Sequence, residues 1–186
     1  MRKKPLHESE QVKIEKLVRE FRSYNLPDLE TEKNFFKDMP SLEVCIHHAA
    51  LAIDHRGKRY KHQCRLQLVV LRKAEECLSS VFSRLKESKT FHDLFLIVRE
   101  QTSLINGIGE LFIYDTALRI GAYLGLAPDR VYLHAGTTTG IRALGLDSHQ
   151  EWIDISKLPS ALRSLSPNEI ESFLCVFKDK LVNAKY

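Results

Sequence analysis

No apolar run in this chain is long enough to cross a bilayer, so no membrane association is expected. The first residues, MRKKPLHESEQ, are basic but have no apolar signal core behind them, and a cytoplasmic location is the expectation. The four cysteines, Cys45, Cys64, Cys77 and Cys175, form neither a CxxC pair nor a Cys/His zinc spacing. That excludes a disulfide framework and a zinc module, and no metal or other cofactor is expected. Alternating apolar and polar stretches are nearly absent, as are internal repeats, which leaves an all-α fold. An excess of one charge is also missing. Lys and Arg number 28 against 24 Asp and Glu, and a net charge of +4 permits nucleic-acid binding without demanding it.

What is present is enough for a core. A chain of 186 residues with 44% hydrophobic and 28% charged side chains is expected to form one globular domain. Its expected parts are a helical appendage over 1–40, a core over 41–146, and a C-terminal loop and helix over 147–186. Val12, Ile14, Leu17, Val18 and Phe21 recur at helical spacing over 8–24, a helix that Pro27 is expected to end. Ser41 is placed to cap a helix running to about Asp54. Leu66, Val69, Val70, Ala74, Cys77, Leu78, Val81, Phe82 and Leu85 hold i, i+3, i+4 spacing and predict a long central helix over 66–85. Val131 to His134 is a short apolar run, and residues 148–159 form a loop that Trp152, Ile153 and Ile155 fasten to the core. Ser166-Pro167-Asn168-Glu169 starts the last helix with cap, proline and capping glutamate in sequence.

Leu104 to Leu126 is the most informative stretch. Asn106-Gly107-Ile108-Gly109 is a tight glycine turn between a helix opened by the Thr90-Phe91-His92-Asp93 capping box and a second helix stopped at Gly125. Helix, glycine hairpin and helix form a helix-hairpin-helix unit. The amides of Asn106, Gly107, Ile108 and Gly109 would face an anion such as a DNA phosphate at the start of the second helix. The most basic window of the chain is HRGKRYKHQCR, residues 55–65. There Lys58, Arg59, Lys61 and Arg65, with Arg56, offer charge to a backbone, and Tyr60 either stacks on a base or caps the core. The stretch AGTTTG, residues 135–140, puts Gly136, Thr137 and Thr138 at a further helix start as a candidate anion site. It lacks the lysine of a P-loop, and N-capping by Thr137 or Thr138 accounts for most of it. Asp115 and Arg119 are spaced for an i,i+4 ion pair. His47, His48, Asp54 and His55 hold ligand-type atoms, but neighbouring histidines diverge on a helix and do not share one ion.

Glycine hairpin, apolar helix, short loop and new helix start together resemble the helix-hairpin-helix superfamily of base-excision DNA glycosylases, over residues 40–146, with INGIG as the matching motif. The resemblance implies a hairpin gripping DNA phosphate through its amides. It also implies a catalytic Asp beyond the second helix and, in bifunctional members, a nucleophilic Lys two residues after the second glycine. Leu111 stands where that Lys would be. Tyr132-Leu133-His134-Ala135-Gly136 stands at the Asp junction, with no carboxylate, and the four-cysteine iron–sulfur loop is missing.

Three expectations follow. The leading one is a DNA-binding protein of this type without base excision, whose missing catalytic Lys and Asp speak against enzyme activity without deciding it. The second is a nucleic-acid-processing enzyme with altered catalysts, His134 and Asp115; a capping or core role for His134 and an ion pair for Asp115 are their plain alternatives. The third is an interaction module for a protein partner that the sequence does not name.

Overall fold

The computed structural model describes residues 8–183. Ten α-helices follow one another among them: α1 Glu8–Tyr24, α2 Leu26–Lys37, α3 Leu42–Ala50, α4 Leu68–Ser80, α5 Phe82–Lys86, α6 Phe91–Thr102, α7 Glu110–Leu124, α8 Ala135–Ala143, α9 Pro167–Val176 and α10 Lys178–Asn183. Two-residue strands β1 Val131–Tyr132 and β2 Trp152–Ile153 pair antiparallel, with Val131 opposite Ile153. The fold is therefore all-α in character. Among the described residues no helix is long and apolar enough to cross a membrane. The basic start of the chain, residues 1–7, lies outside the described residues.

Backbone proximity groups the described residues into two compact units, one over 30–128 and the other uniting 8–29 with 129–183. The divisions fall at 29/30 and 128/129. In the first unit α3 and α6 both pack on α7, and α4 packs on α3 and α6. Leu71 and Ala74 of α4 meet Ile105 and Phe112 of the hairpin in one buried cluster. In the second unit α8, α9 and α10 pack together around a core shared with α1. There Phe21 stands edge-on to Phe173, with ring centres 5.8 Å apart, and Phe173 stacks on Phe177 at 5.1 Å. Burying each such ring stabilises the unit by about 2–3 kcal/mol.

Several boundaries differ from the sequence reading for identifiable reasons. The long helix expected over 66–85 is broken at Val81, whose backbone (φ −111°, ψ 25°) is not helical. Ser80 Oγ donates to the Cys77 carbonyl at 2.7 Å just before the break, the kind of back-bonding that competes with helix continuation. Proline 27 does not end α1. The helix stops at Tyr24, and Pro27 is the second residue of α2, where its missing N–H costs nothing. Helix α3 stops at Ala50, and Ala52, at φ +56°, turns the chain away. The AGTTTG stretch is not a loop before a helix but the first turns of α8, capped by His134. Trp152 is more exposed than a core anchor would be, and Ile153 is the buried residue there.

Candidate nucleic-acid interface

The hairpin is built as its sequence directs. Thr90 Oγ1 accepts from the Asp93 amide at 3.1 Å, and Asp93 Oδ2 accepts from the Thr90 amide at 3.2 Å, closing the capping box of α6. After α6 the amides of Ser103, Ile105 and Ile108 bond back to Arg99, Thr102 and Ile105 carbonyls at 2.9–3.0 Å. Ile105 is buried and Ile108 half-buried, which pins the turn, while Asn106, Gly107 and Gly109 are exposed. Gly107 has φ +98°, outside the range that residues with a Cβ adopt readily. Gly109 is the N-cap of α7 and no side chain caps the helix, so the amides of its first turn are left without a side-chain acceptor. Glu110 opens α7, and its carboxylate is paired with Arg99 at 3.0 Å, which offsets an acid that would repel an anion.

The basic loop has an unexpectedly firm construction. Asp54 Oδ1 accepts from the amides of Arg56 and Lys58 at 2.9 and 3.0 Å, and Oδ2 accepts from the Arg56 guanidinium at 2.7 Å. Burial alone would raise the Asp54 pKa. These hydrogen bonds and the guanidinium charge outweigh it and hold the carboxyl at about 2. The guanidinium of Arg59, though exposed, folds back on its own loop, donating to the Leu66 and Cys64 carbonyls at 2.6 and 3.2 Å. It is a staple of the loop, and its charge faces backbone. Lys58, Lys61 and Arg65 are exposed.

What docks this loop is α7. Arg119 is 3% exposed and makes four polar contacts. It donates from Nη1 to Gln63 Oε1 at 2.9 Å and to the Ala49 carbonyl at 3.5 Å, and from Nε to Glu32 at 3.2 Å. Its Nη2 lies 3.8 Å from Asp115, the i,i+4 pair expected from spacing. The guanidinium also stacks over the Tyr60 ring at 4.0 Å, so Tyr60 caps the protein and its face is already covered. Burial first, and then the Glu32 charge, push the Tyr60 pKa upward, so the phenol stays neutral. Asp115 Oδ2 also accepts from Gln63 Nε2 at 2.9 Å and pairs with His62 Nε2 at 2.9 Å. The polar cluster of Glu32, Tyr60, His62, Gln63, Asp115 and Arg119 thus fixes the stretch 60–63 on the second helix of the hairpin.

In the other unit, His134 is buried and caps α8. Its amide donates to Thr137 Oγ1 at 2.7 Å, and Thr137 donates in turn to the His134 carbonyl at 2.9 Å. Its Nε2 pairs with the buried carboxylate of Glu171 on α9. The capping reading of His134 therefore describes it, with Thr137 as the reciprocal partner instead of the cap. The Thr137 hydroxyl is committed to the His134 backbone, Gly136 lies against Cys175 Sγ, and Thr138 is half-buried within α8. Asp115 and His134 belong to different units, and each has its own partner.

Of the two histidines of α3, only His47 has a polar side-chain partner among the described residues; His48 lies edge-on to Phe35, and its buried Nδ1 has no hydrogen bond. His47 Nδ1 pairs with Glu75 at 2.7 Å, while burial and then the His47 charge lower the His48 pKa. Among the described residues no group of three or more His, Cys, Asp or Glu side chains gathers as a metal site would require. Sequence reasoning missed Gln63, Glu32 and Glu171. None carries a local signal, since each meets its partner across dozens of residues. His62 was visible within the basic window but not as the partner of Asp115. Searches for similar proteins found no matching family model, curated protein or solved structure.

Proposed function

We propose that the unit over 30–128 binds DNA through its phosphate backbone, as a helix-hairpin-helix domain of the glycosylase type without base excision. The observation that carries this is the polar cluster on α7. It ties residues 60–63 of the basic loop to α7, the helix that follows the glycine hairpin, which supports the amides at the start of α7 and the exposed Lys58, Lys61 and Arg65 serving one backbone. Phosphate contacts drawn from several elements at once are what hold a duplex in register. The absence of base excision rests on Leu111 at the position of the family's lysine and His134 at that of its aspartate.

The test is fluorescence anisotropy of a labelled duplex over a salt series, for wild type and for Lys58→Ala/Lys61→Ala/Arg65→Ala. Arg59 is left in place because it holds the loop together. Each phosphate contact contributes about 0.9 to the slope of log K against log salt, so the triple variant should flatten that slope by up to about 2.7. Affinity should be similar for unrelated base sequences. No binding at low salt, or a slope unchanged by the three substitutions, would refute the reading.

A further inference from the structure

We propose that Asp115 and His62 form a general-base dyad that cleaves a nucleic-acid strand at a ribonucleotide, by attack of the ribose 2′-hydroxyl on the adjacent phosphate. This rests on the reading that the same loop holds a phosphate backbone. Asp115 is anchored in α7 with its side chain 15% exposed, whereas the His62 side chain is 48% exposed. An ionised carboxylate only accepts hydrogen bonds, so the 2.9 Å contact places the imidazole proton on Nε2. That leaves Nδ1 as the basic nitrogen, and among the described residues nothing is bonded to it. Gln63 donates to the same Asp115 oxygen at 2.9 Å, so the carboxylate that orients the ring is itself held. Lys61 precedes His62 in one 3-10 turn and Arg65 follows three residues on, both exposed.

A base so placed suits one kind of backbone cleavage. A deoxyribose phosphodiester offers the base no hydroxyl, so bound DNA stays intact. A ribose places a 2′-hydroxyl beside its own 3′-phosphate, and the intramolecular attack needs no positioned water, which a half-exposed base could not hold. His62 Nδ1 takes the 2′-hydroxyl proton as the 2′-oxygen–phosphorus bond forms. The phosphorus–5′-oxygen bond breaks, the departing 5′-oxygen takes a proton from water, and the imidazolium returns its proton to solvent. The products are a 2′,3′-cyclic phosphate and a 5′-hydroxyl. Lys61 and Arg65 would offset the charge that grows on the phosphoryl oxygens.

The experiment uses the full chain and two labelled duplexes, one all-DNA and one with a single ribonucleotide in one strand. Binding is followed by anisotropy, and products by denaturing gel and mass spectrometry. Wild type should cut only the second duplex, on the 3′ side of the ribonucleotide, leaving the cyclic phosphate. His62→Ala should slow this by about a hundredfold or more, the usual contribution of a positioned base, with binding retained. Asp115→Asn keeps a polar partner but no longer fixes the proton on Nε2, and should slow cleavage similarly. Binding of the ribonucleotide duplex without cyclic product would overturn the dyad and leave the binding reading intact. Equal cleavage by either variant would also overturn it. Failure to bind either duplex at low salt would remove the binding reading on which the dyad stands.

Discussion

Replacing Gly107 by alanine tests the hairpin geometry in a way that separates backbone strain from packing. At φ +98° an alanine sits outside the left-handed well as well as outside the right-handed one, a conformation that costs about 1–3 kcal/mol. The space itself is available, because a Cβ there would meet only Val70 methyls at 3.7 and 3.8 Å, ordinary contact distance. Alanine also restricts the unfolded chain, which offsets about 0.4–1 kcal/mol of the strain. The net expectation is a loss of about 1–2 kcal/mol, and a domain of this size shifts its Tm by about 2–4 °C per kcal/mol. Gly109→Ala is the internal control. Gly109 has an extended backbone at φ −119° with nothing within 4 Å of a Cβ, so its loss should be smaller, limited to the difference between glycine and alanine as an N-cap. Differential scanning calorimetry on the two variants and wild type decides the matter. If Gly107→Ala melts at or above wild type, the turn is not held at positive φ and the argument for aligned amides at Gly109 fails with it. On DNA the order should reverse. The Gly109 methyl stands where a phosphate would approach, so Gly109→Ala should lose more affinity than its stability change explains.

Gly140→Ala should destabilise in spite of the better helix propensity of alanine, because its Cβ would lie 2.7 Å from the Leu174 carbonyl oxygen on α9; urea denaturation should show a loss of about 1–3 kcal/mol, as overpacking does. His134→Ala leaves the buried Glu171 carboxylate without that partner and should cost about 3–5 kcal/mol, the usual penalty for breaking a buried pair, read from the urea midpoint. Burial pushes the Cys45 thiol up to about 12 while Cys64 is exposed, so a thiol reagent at pH 8 should label Cys64 in the native protein and Cys45 only in denaturant, as peptide mass mapping would show. Asp54 has its folded pKa depressed to about 2 from an ordinary value of about 3.9, so it contributes stability above the ordinary value that is lost as pH falls towards 2. Asp54→Asn should therefore be less stable than wild type at pH 6, with the gap narrowing below pH 4 in urea melts.

Features that depend on near neighbours in sequence were legible. The Thr90–Asp93 box, the Ser166–Glu169 box, the stop at Gly125 and the Asp115–Arg119 pair all follow from spacings of three to four residues or a single special φ. The break at Val81 was not, because apolar periodicity carries straight through Ser79 and Ser80, whose effect is a hydrogen bond and not a change in hydropathy. The roles of charged groups were least legible. Arg59 looked like one more cation for phosphate, yet it closes the loop on two carbonyls. The junction at His134 looked devoid of a carboxylate because Glu171, the acid that reaches it, lies 37 residues further on. Composition places a charge on the chain, but only tertiary structure decides whether it faces solvent or a backbone oxygen.

That distinction bears on why an acid would belong in the proposed interface for an anionic backbone. Asp115 lies five residues after Glu110, about 7.5 Å along the α7 axis from the N-terminal end whose amides are proposed to meet phosphate. Unscreened, its charge would oppose the binding proposed for Lys61 and Arg65. The buried Arg119 guanidinium at 3.8 Å and the Gln63 amide at 2.9 Å offset it from within, and His62 covers it from the solvent side. An apolar residue at 115 would relieve repulsion but release His62 and Gln63, and with them the stretch that carries Lys61. The carboxylate is tolerable because the charges that neutralise it are the ones that need it in order to stay where they are. In such an arrangement the acid serves the basic loop by fixing its geometry, and its distance from the amides at the start of α7 limits the harm its sign could do to the proposed binding.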